Sequence, residues 1–361
     1  MKKLIPAFLF ILVIFFSSGL NGRPKDYFVY VSFRSSDAIG IYKLNSATGE
    51  FNLIDTQKVE GGPAAPCLDP TNKILYSAQR TVNSFSSFII DNKTGRISLI
   101  NNINVLHIPV YISTDKTGKY FFAAFYCGHE VASYKIGEGG KIIDSPVQID
   151  STFKTPHSIL TDDSNKHLYV ADKDGDRIQI YNFDEQSGTY STFENSSIAV
   201  PIRTGPRHFV FSNNGKIVYF VNEINSSITG YNVDLKSGLI KPFQTISTLP
   251  DSFYGKNTAA DIHITPDDKF LYASNRGDDS IAGYSIDEKS GMLKLIGFFK
   301  TEKTPRAFNI DPNGNYLIAA GENSDSLAVY KINNKNGNLT QTHKFQTGKQ
   351  PSWILFVECG N

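Results

Sequence analysis

The stretch NKHLYVADKDGDRIQIYNFDEQSGTY, residues 165–190, decides the fold. It opens on a short apolar strand, turns through a polar run at residues 173–176, resumes with alternating Ile178, Ile180 and Phe183, and closes in a hairpin at Ser187 and Gly188. Apolar residues at a period of two, with polar ones between, are what a strand with one buried face requires, and no 3.6-residue stripe competes with them. Six further stretches repeat the unit, among them DKFLYASNRGDDSIAGYSIDEKSGML at residues 268–293 and GNYLIAAGENSDSLAVYKINNKNGNL at residues 314–339.

One strand position anchors all copies: Tyr30, Tyr76, Phe122, Tyr169, Tyr219, Tyr272 and Ile318, spaced by 46, 46, 47, 50, 53 and 46 residues. A four-stranded propeller blade occupies roughly 40 to 50 residues, so the expectation is an all-β, seven-bladed β-propeller of antiparallel four-stranded blades over residues 26–361. Before each later copy stands a strand that usually opens on proline, as in GPAAP, IPVYI, TPHSI, GPRHF and TPRAF, with NTAADI in the same place. The first copy lacks it. The missing strand stands at the far end as QPSWILFVE, residues 350–358, and the expectation is that it joins the first blade and closes the ring, which removes the open edges of a linear array. Trp353, within it, reads as a core anchor.

Composition sets the limits. The 361 residues carry 36 Lys and Arg against 35 Asp and Glu, with 40% hydrophobic and 12% aromatic residues, enough to bury a large core and without the global basic charge of a nucleic-acid binder. Lys2 and Lys3 precede an apolar run at residues 4–16 and small residues at Ser17, Ser18 and Gly19. That run is shorter than the roughly 20 residues a membrane span needs. Residues 1–22 therefore read as an export signal, with the mature protein periplasmic or extracellular and not stably inserted in a membrane. Cys67, Cys127 and Cys359 fit no metal or redox spacing and read as buried small apolar residues, a Cys67–Cys127 bridge being the alternative. Asp172, Asp174 and Asp176 are spaced like a calcium loop, but Arg177 stands where its glycine belongs and Phe183 where its glutamate belongs, so they read as a turn.

Equivalent positions converge on the axis of a propeller. Twelve residues before each later anchor come Ala64, Val110, His157, Arg207, Ala260 and Arg306, with Ser352 from the closing strand. Four residues after each anchor come Arg34, Arg80, Tyr126, Lys173, Glu223, Arg276 and Glu322. Cations gathered around one cavity need carboxylate partners or a bound anion. Glu223 and Glu322 are the partners on offer, and the positive excess points to a small anionic ligand. His208 follows Arg207 and, by strand alternation, should face away from the axis.

The motifs PHS at residues 156–158, ADKDGDRIQIY at 171–181, GPRHF at 205–209, VNE at 221–223, ASNRG at 273–277 and PRAFNIDPNGNYLIAAG at 305–321 resemble the seven-bladed lactonase family, which includes the propeller-type 6-phosphogluconolactonases and a fungal carboxymuconate lactonising enzyme. The resemblance is strongest over residues 155–330. It implies a site built from His157, Arg207, Glu223 and Arg276, and a carboxylic-ester hydrolase that uses neither metal nor cofactor; Arg34, Arg80, Lys173, Arg306 and Glu322, the other charged members of the two rings, are the expected substrate-binding residues. His157 would take a proton from water, Arg207 and Arg276 would hold the oxyanion and the substrate's carboxylate or phosphate, and Glu223 would orient an arginine or share the proton work. Thr155 stands where the family often has a second histidine. The alternative is a non-catalytic exported propeller that binds an anionic ligand or a protein partner through the same face.

Overall fold

The computed structural model describes residues 25–360. The signal expected at residues 1–22 lies outside the described residues. Seven antiparallel sheets form the ring. Their innermost strands are Pro351–Glu358, Pro63–Leu68, Pro109–Thr114, Pro156–Thr161, Pro206–Phe211, Ala259–Ile264 and Pro305–Ile310, for blades 1 to 7. Each of these strands touches the next around the axis, and the circle returns from blade 7 to blade 1. Closure is as the repeat count requires: Pro351–Glu358 pairs with Tyr27–Phe33, setting Leu355 opposite Tyr30.

The anchor residue has a physical reason. All seven anchors are fully buried, and four of the tyrosines donate their hydroxyl to the carbonyl of the hairpin glycine in the next blade: Tyr30 to Gly95 at 2.7 Å, Tyr169 to Gly238 at 2.6 Å, Tyr219 to Gly291 at 2.6 Å and Tyr272 to Gly337 at 2.7 Å. In blade 3 the anchor is Phe122, and Ser133, directly opposite it in register, donates to Gly188 at 2.8 Å instead. The ring of an anchor is buried for about 1.5–3 kcal/mol, while its hydroxyl ties one blade to its neighbour. Gly188 itself has φ 77°, and a Cβ there would lie 2.1 Å from the Tyr120 ring, so the hairpin can seat only glycine against the preceding blade.

Apolar packing follows the same plan. Seven core clusters occur, each spanning one seam: Tyr169, Ile180, Phe209 and Phe220 join blades 4 and 5, and Val29, Leu44, Ile318 and Phe356 join blades 7 and 1. The unequal repeat lengths are absorbed at the periphery. Blade 4 splits its outer strand into Tyr190–Ser191 and Ser197–Ala199, and residues 248–258 make a long connection between blades 5 and 6.

Candidate active site

The residues that face the axis are put there by a bulge repeated in every innermost strand. In blades 3 to 7 and 1 the pairing register slips at the position found by counting back twelve, so that Val110, His157, Arg207, Ala260, Arg306 and Ser352 drop out of the ladder. In blade 2 the slip falls one residue later, at Ala65 and Pro66. A bulge bends its strand and re-aims the displaced side chain. Ala64, Ala65, Val110, His157, Arg207, Arg306 and Ser352 accordingly line the axial cavity, together with Arg34 and Arg80 from the second ring.

On the side of blades 4 to 6 the four residues implied by the resemblance come together. Glu223 Oε2 lies 2.9 Å from Arg207 Nε and 3.0 Å from Arg276 Nη2, and Lys173 Nζ stands 3.8 Å from Oε1. Arg207 also donates to the carbonyl of Ala260, and Arg276 to those of Ala259 and Thr258. Burial alone would raise the Glu223 carboxyl, but Arg207, Arg276 and Lys173 outweigh it and hold the group below its ordinary value. It is an ionised acceptor. Arg207 is almost wholly enclosed, and its pKa falls to about 9 through burial and through Arg276 and Arg306. His157 is buried beside them, and burial, then Arg207, His208, Arg306 and Arg276, push it well below its ordinary value, leaving a neutral imidazole at pH 7. Lys173 turns partly aside, 2.5 Å from Asp174 Oδ1, and Asp174 Oδ2 accepts from Tyr126 Oη at 3.0 Å.

Across the axis, blades 7, 1 and 2 contribute a second group. Glu322 pairs with Arg34 at 2.8 Å and more loosely with Arg306 at 3.9 Å, and Arg34 also donates to Gln350. Arg80 forms no ion pair among the described residues, and burial, Arg306 and Arg34 lower its pKa to about 10. This cation lines the cavity without a carboxylate of its own.

One residue beyond the bulged position lies a third ring that the sequence reading did not find, holding Tyr111, Ser158, His208, Asp261 and Trp353. His208 was expected to face away from the axis. Because the bulge at Arg207 breaks the alternation, it lines the cavity next to Arg207 instead. Its Nδ1 lies 2.8 Å from Asp261 Oδ1, and Asp261 Oδ2 lies 3.3 Å from His263 Nε2. Trp353 is not a core anchor: it too lines the cavity, packing edge-on to Tyr111 and His208 at 5.6 Å between ring centroids. The axial space that the lining side chains leave is about 10 Å³, room for about one water molecule. The signal for this ring was present one residue along from the one counted, hidden because a regular strand would turn those side chains outward.

Other expectations resolve simply. Asp172 accepts from the backbone N–H groups of Lys154, Thr155 and Gly175, so the acidic run is a turn that clamps its own loop. The three cysteines are free, Cys67 and Cys359 half-buried and Cys127 exposed in a turn, which corrects the reading of Cys127 as a buried apolar residue. Wider clefts exist off the axis, one of about 480 Å³ between blades 1 and 2 lined by Val59, Val82, Phe88 and Leu99, but charged groups converge only weakly there. No helix among the described residues is long and apolar enough to cross a membrane.

Comparison with known proteins places the fold in a family. Residues 16–108 and 67–356 match the family model described as lactonase, 7-bladed beta-propeller. The chain is 32% identical over 280 residues to the 6-phosphogluconolactonase of Serratia proteamaculans, covering 78% of this chain and 83% of that protein. It is 33% identical to the 6-phosphogluconolactonase of Photorhabdus laumondii over the same length and the same shares of each chain. Among solved structures, the periplasmic gluconolactonase of Pseudomonas aeruginosa superposes with a TM-score of 0.86 over 93% of this chain and 100% of that one, at 24% identity, a likeness of fold.

Proposed function

We propose, from the premise that this chain belongs to the seven-bladed β-propeller lactonase family, that it hydrolyses the lactone of an acidic sugar at the mouth of its central channel, using His157, Arg207, Glu223 and Arg276. The observation that carries this reading is Glu223 Oε2 shared between Arg207 and Arg276 beside a neutral, buried His157. The carboxylate fixes two guanidinium groups in place before substrate arrives, which is how preorganised charge lowers a barrier. A sugar ring is far larger than the axial space, so the lactone sits above it, with its carbonyl toward the two arginines.

In this reading a water attacks the carbonyl carbon and gives its proton to His157 Nε2. The carbonyl electron pair moves onto oxygen, where Arg207 and Arg276 hold it. Collapse expels the ring oxygen, which recovers the proton from His157 to give the open hydroxy acid. The arginines that depress His157 make it a weak base in the empty site, and the negative charge of a bound substrate offsets them. Arg34, Arg80, Lys173 and Arg306, with Glu322 orienting Arg34, form the remaining wall for the substrate's phosphate or carboxylate. The basic, apolar and small-residue sequence at residues 1–22 supports export of the enzyme.

The test takes protein recovered from outside the cytoplasm, sequences its N-terminus, and offers it δ-lactones of sugar acids with and without phosphate, before and after chelation. The expected N-terminus lies near residue 23. Chelator-insensitive hydrolysis should fall about 10²–10⁴-fold in His157→Ala, the usual span for a lost acid–base group, with Arg276→Ala comparably impaired. Turnover no faster than buffer across the panel would overturn the enzymatic reading in favour of ligand binding.

A further inference from the structure

Beneath His157 lies a buried pair with no part in the mechanism above. His208 Nδ1 is 2.8 Å from Asp261 Oδ1, and a carboxylate can only accept, so that nitrogen carries the hydrogen. The Arg207 guanidinium is also 3.4 Å from the same nitrogen, but it has only donors to offer, and the shorter carboxylate contact decides the tautomer. Asp261 is itself fixed: its oxygens accept from the backbone N–H groups of Ile262 and Phe308 as well as facing His263. With its proton on Nδ1, His208 presents a lone pair at Nε2.

That atom is buried without a partner in the protein, and so is Nδ1 of His157. The two rings are 5.2 Å apart between centroids, and both line the axial space, as does Ser352, whose hydroxyl is likewise buried and unpartnered. Three orphaned polar groups around a space of about 10 Å³ match what one buried water needs, room for a single molecule and two to four partners. The complementary demands also fit: a water can accept from one imidazole N–H while donating to the lone pair of another and to a serine oxygen.

We propose that Asp261 and His208 are positioning residues that act through one water held between His208 Nε2 and His157 Nδ1, placing the proton of His157 on Nδ1 and keeping its Nε2 as the acceptor that faces the lactone. Asp261 selects the tautomer of His208, His208 orients the water, and the water selects the tautomer of His157. Without this chain the neutral imidazole could equally place its hydrogen on Nε2, where it would be no base. The proposal rests on the reading of His157 as the base.

Two measurements on the mature protein test it. The first uses ¹⁵N-histidine labelling, with the His157 signals assigned from their loss in His157→Gln, to read the tautomer at pH 7. The expected state is protonated Nδ1 and bare Nε2 for both His157 and His208; a His157 that carries its hydrogen on Nε2 overturns the proposal without any variant needing to fold. The second compares His208→Phe, which keeps the ring but removes the acceptor, with His208→Gln, which restores one. Lactone hydrolysis should lose kcat by about 10- to 100-fold in the first, part of the range for acid–base catalysis, with KM within about twofold, and regain most of it in the second. Equal kcat in wild type and a folded His208→Phe would overturn the role. If wild type hydrolyses no lactone, the functional reading fails while the tautomer measurement still decides the positioning chain.

Discussion

On the side of blades 4 to 6, Lys173, Arg207 and Arg276 stand against Glu223 and Asp174, and every one of these groups has an oppositely charged neighbour within 4 Å. On the side of blades 7, 1 and 2, Arg34, Arg80 and Arg306 face the single carboxylate of Glu322, and Arg80 is left without one. The first side is a paired constellation next to the two histidines that line the axial cavity among the described residues; the second keeps an unneutralised positive charge in the same cavity. Under the proposed function, the contrast separates two tasks, chemistry and recognition of an anionic substrate. Chemistry needs charges whose positions are fixed before binding, whereas recognition of an anion needs charge that is still available when the ligand arrives.

The contrast breaks most sharply at its two glutamates. Glu223→Ala strands a guanidinium that is almost wholly buried, and losing one partner of such a pair costs about 3–5 kcal/mol, together with most of the lactone hydrolysis. Glu322→Ala strands Arg34, which is more exposed and keeps Gln350, so its cost should be about 1–2 kcal/mol. Urea denaturation of both variants checks this, and equal losses would erase the distinction between the two sides.

Acid should weaken one side alone. His208 is held at about 4 by burial and Arg207, against an ordinary 6.5, and His157 is depressed as well. As pH falls through 6.5 the unfolded chain therefore binds protons that the folded chain refuses, and stability drops with pH. Between pH 7 and pH 5 His208 accounts for about 2 kcal/mol of loss, with His157 adding in the same direction. Urea midpoints at the two pH values should show this loss in wild type and in Arg80→Met alike, and a smaller one in His208→Phe; an unchanged wild-type midpoint would contradict the buried, neutral histidines. The smallest effect sharpens the other side. Arg80→Met should raise KM about tenfold, on the order of 1.4 kcal/mol, for a phosphorylated δ-lactone and leave the unphosphorylated one unaffected, with stability equal or improved. Parallel changes for both substrates would remove Arg80 from anion recognition.

The ring itself was legible because its instructions are local and repeated. Alternation, the hairpin glycine and the anchor tyrosine recur in copy after copy, and even the closing strand was visible as the one segment present at the wrong end. The bulged positions could be found by counting, since the same offset recurs in every blade but the second. His208 and Trp353 were misread for a single reason: alternation holds only while the ladder is in register, and the slip at Arg207 and at Ser352 sends two neighbouring residues toward the same cavity. Asp261 escaped notice because its blade opens without the proline that marks the others, and because a carboxylate one residue past an alanine carries no signal until His208 is known to lie beside it.

What the amino-acid sequence determined by itself is the number of blades and the partner of the last strand, and the equivalent repeat positions at which most of the charges stand, because each depends on patterns a few residues long. Which of those charges are neutralised was decided only by the tertiary structure. Arg34 finds Glu322 across 288 positions of chain, Arg80 makes no ion pair among the described residues, and His157 comes to rest 5.2 Å from His208. Pairing of charges is set by distance and desolvation in the closed ring, and neither quantity exists until the last blade has met the first.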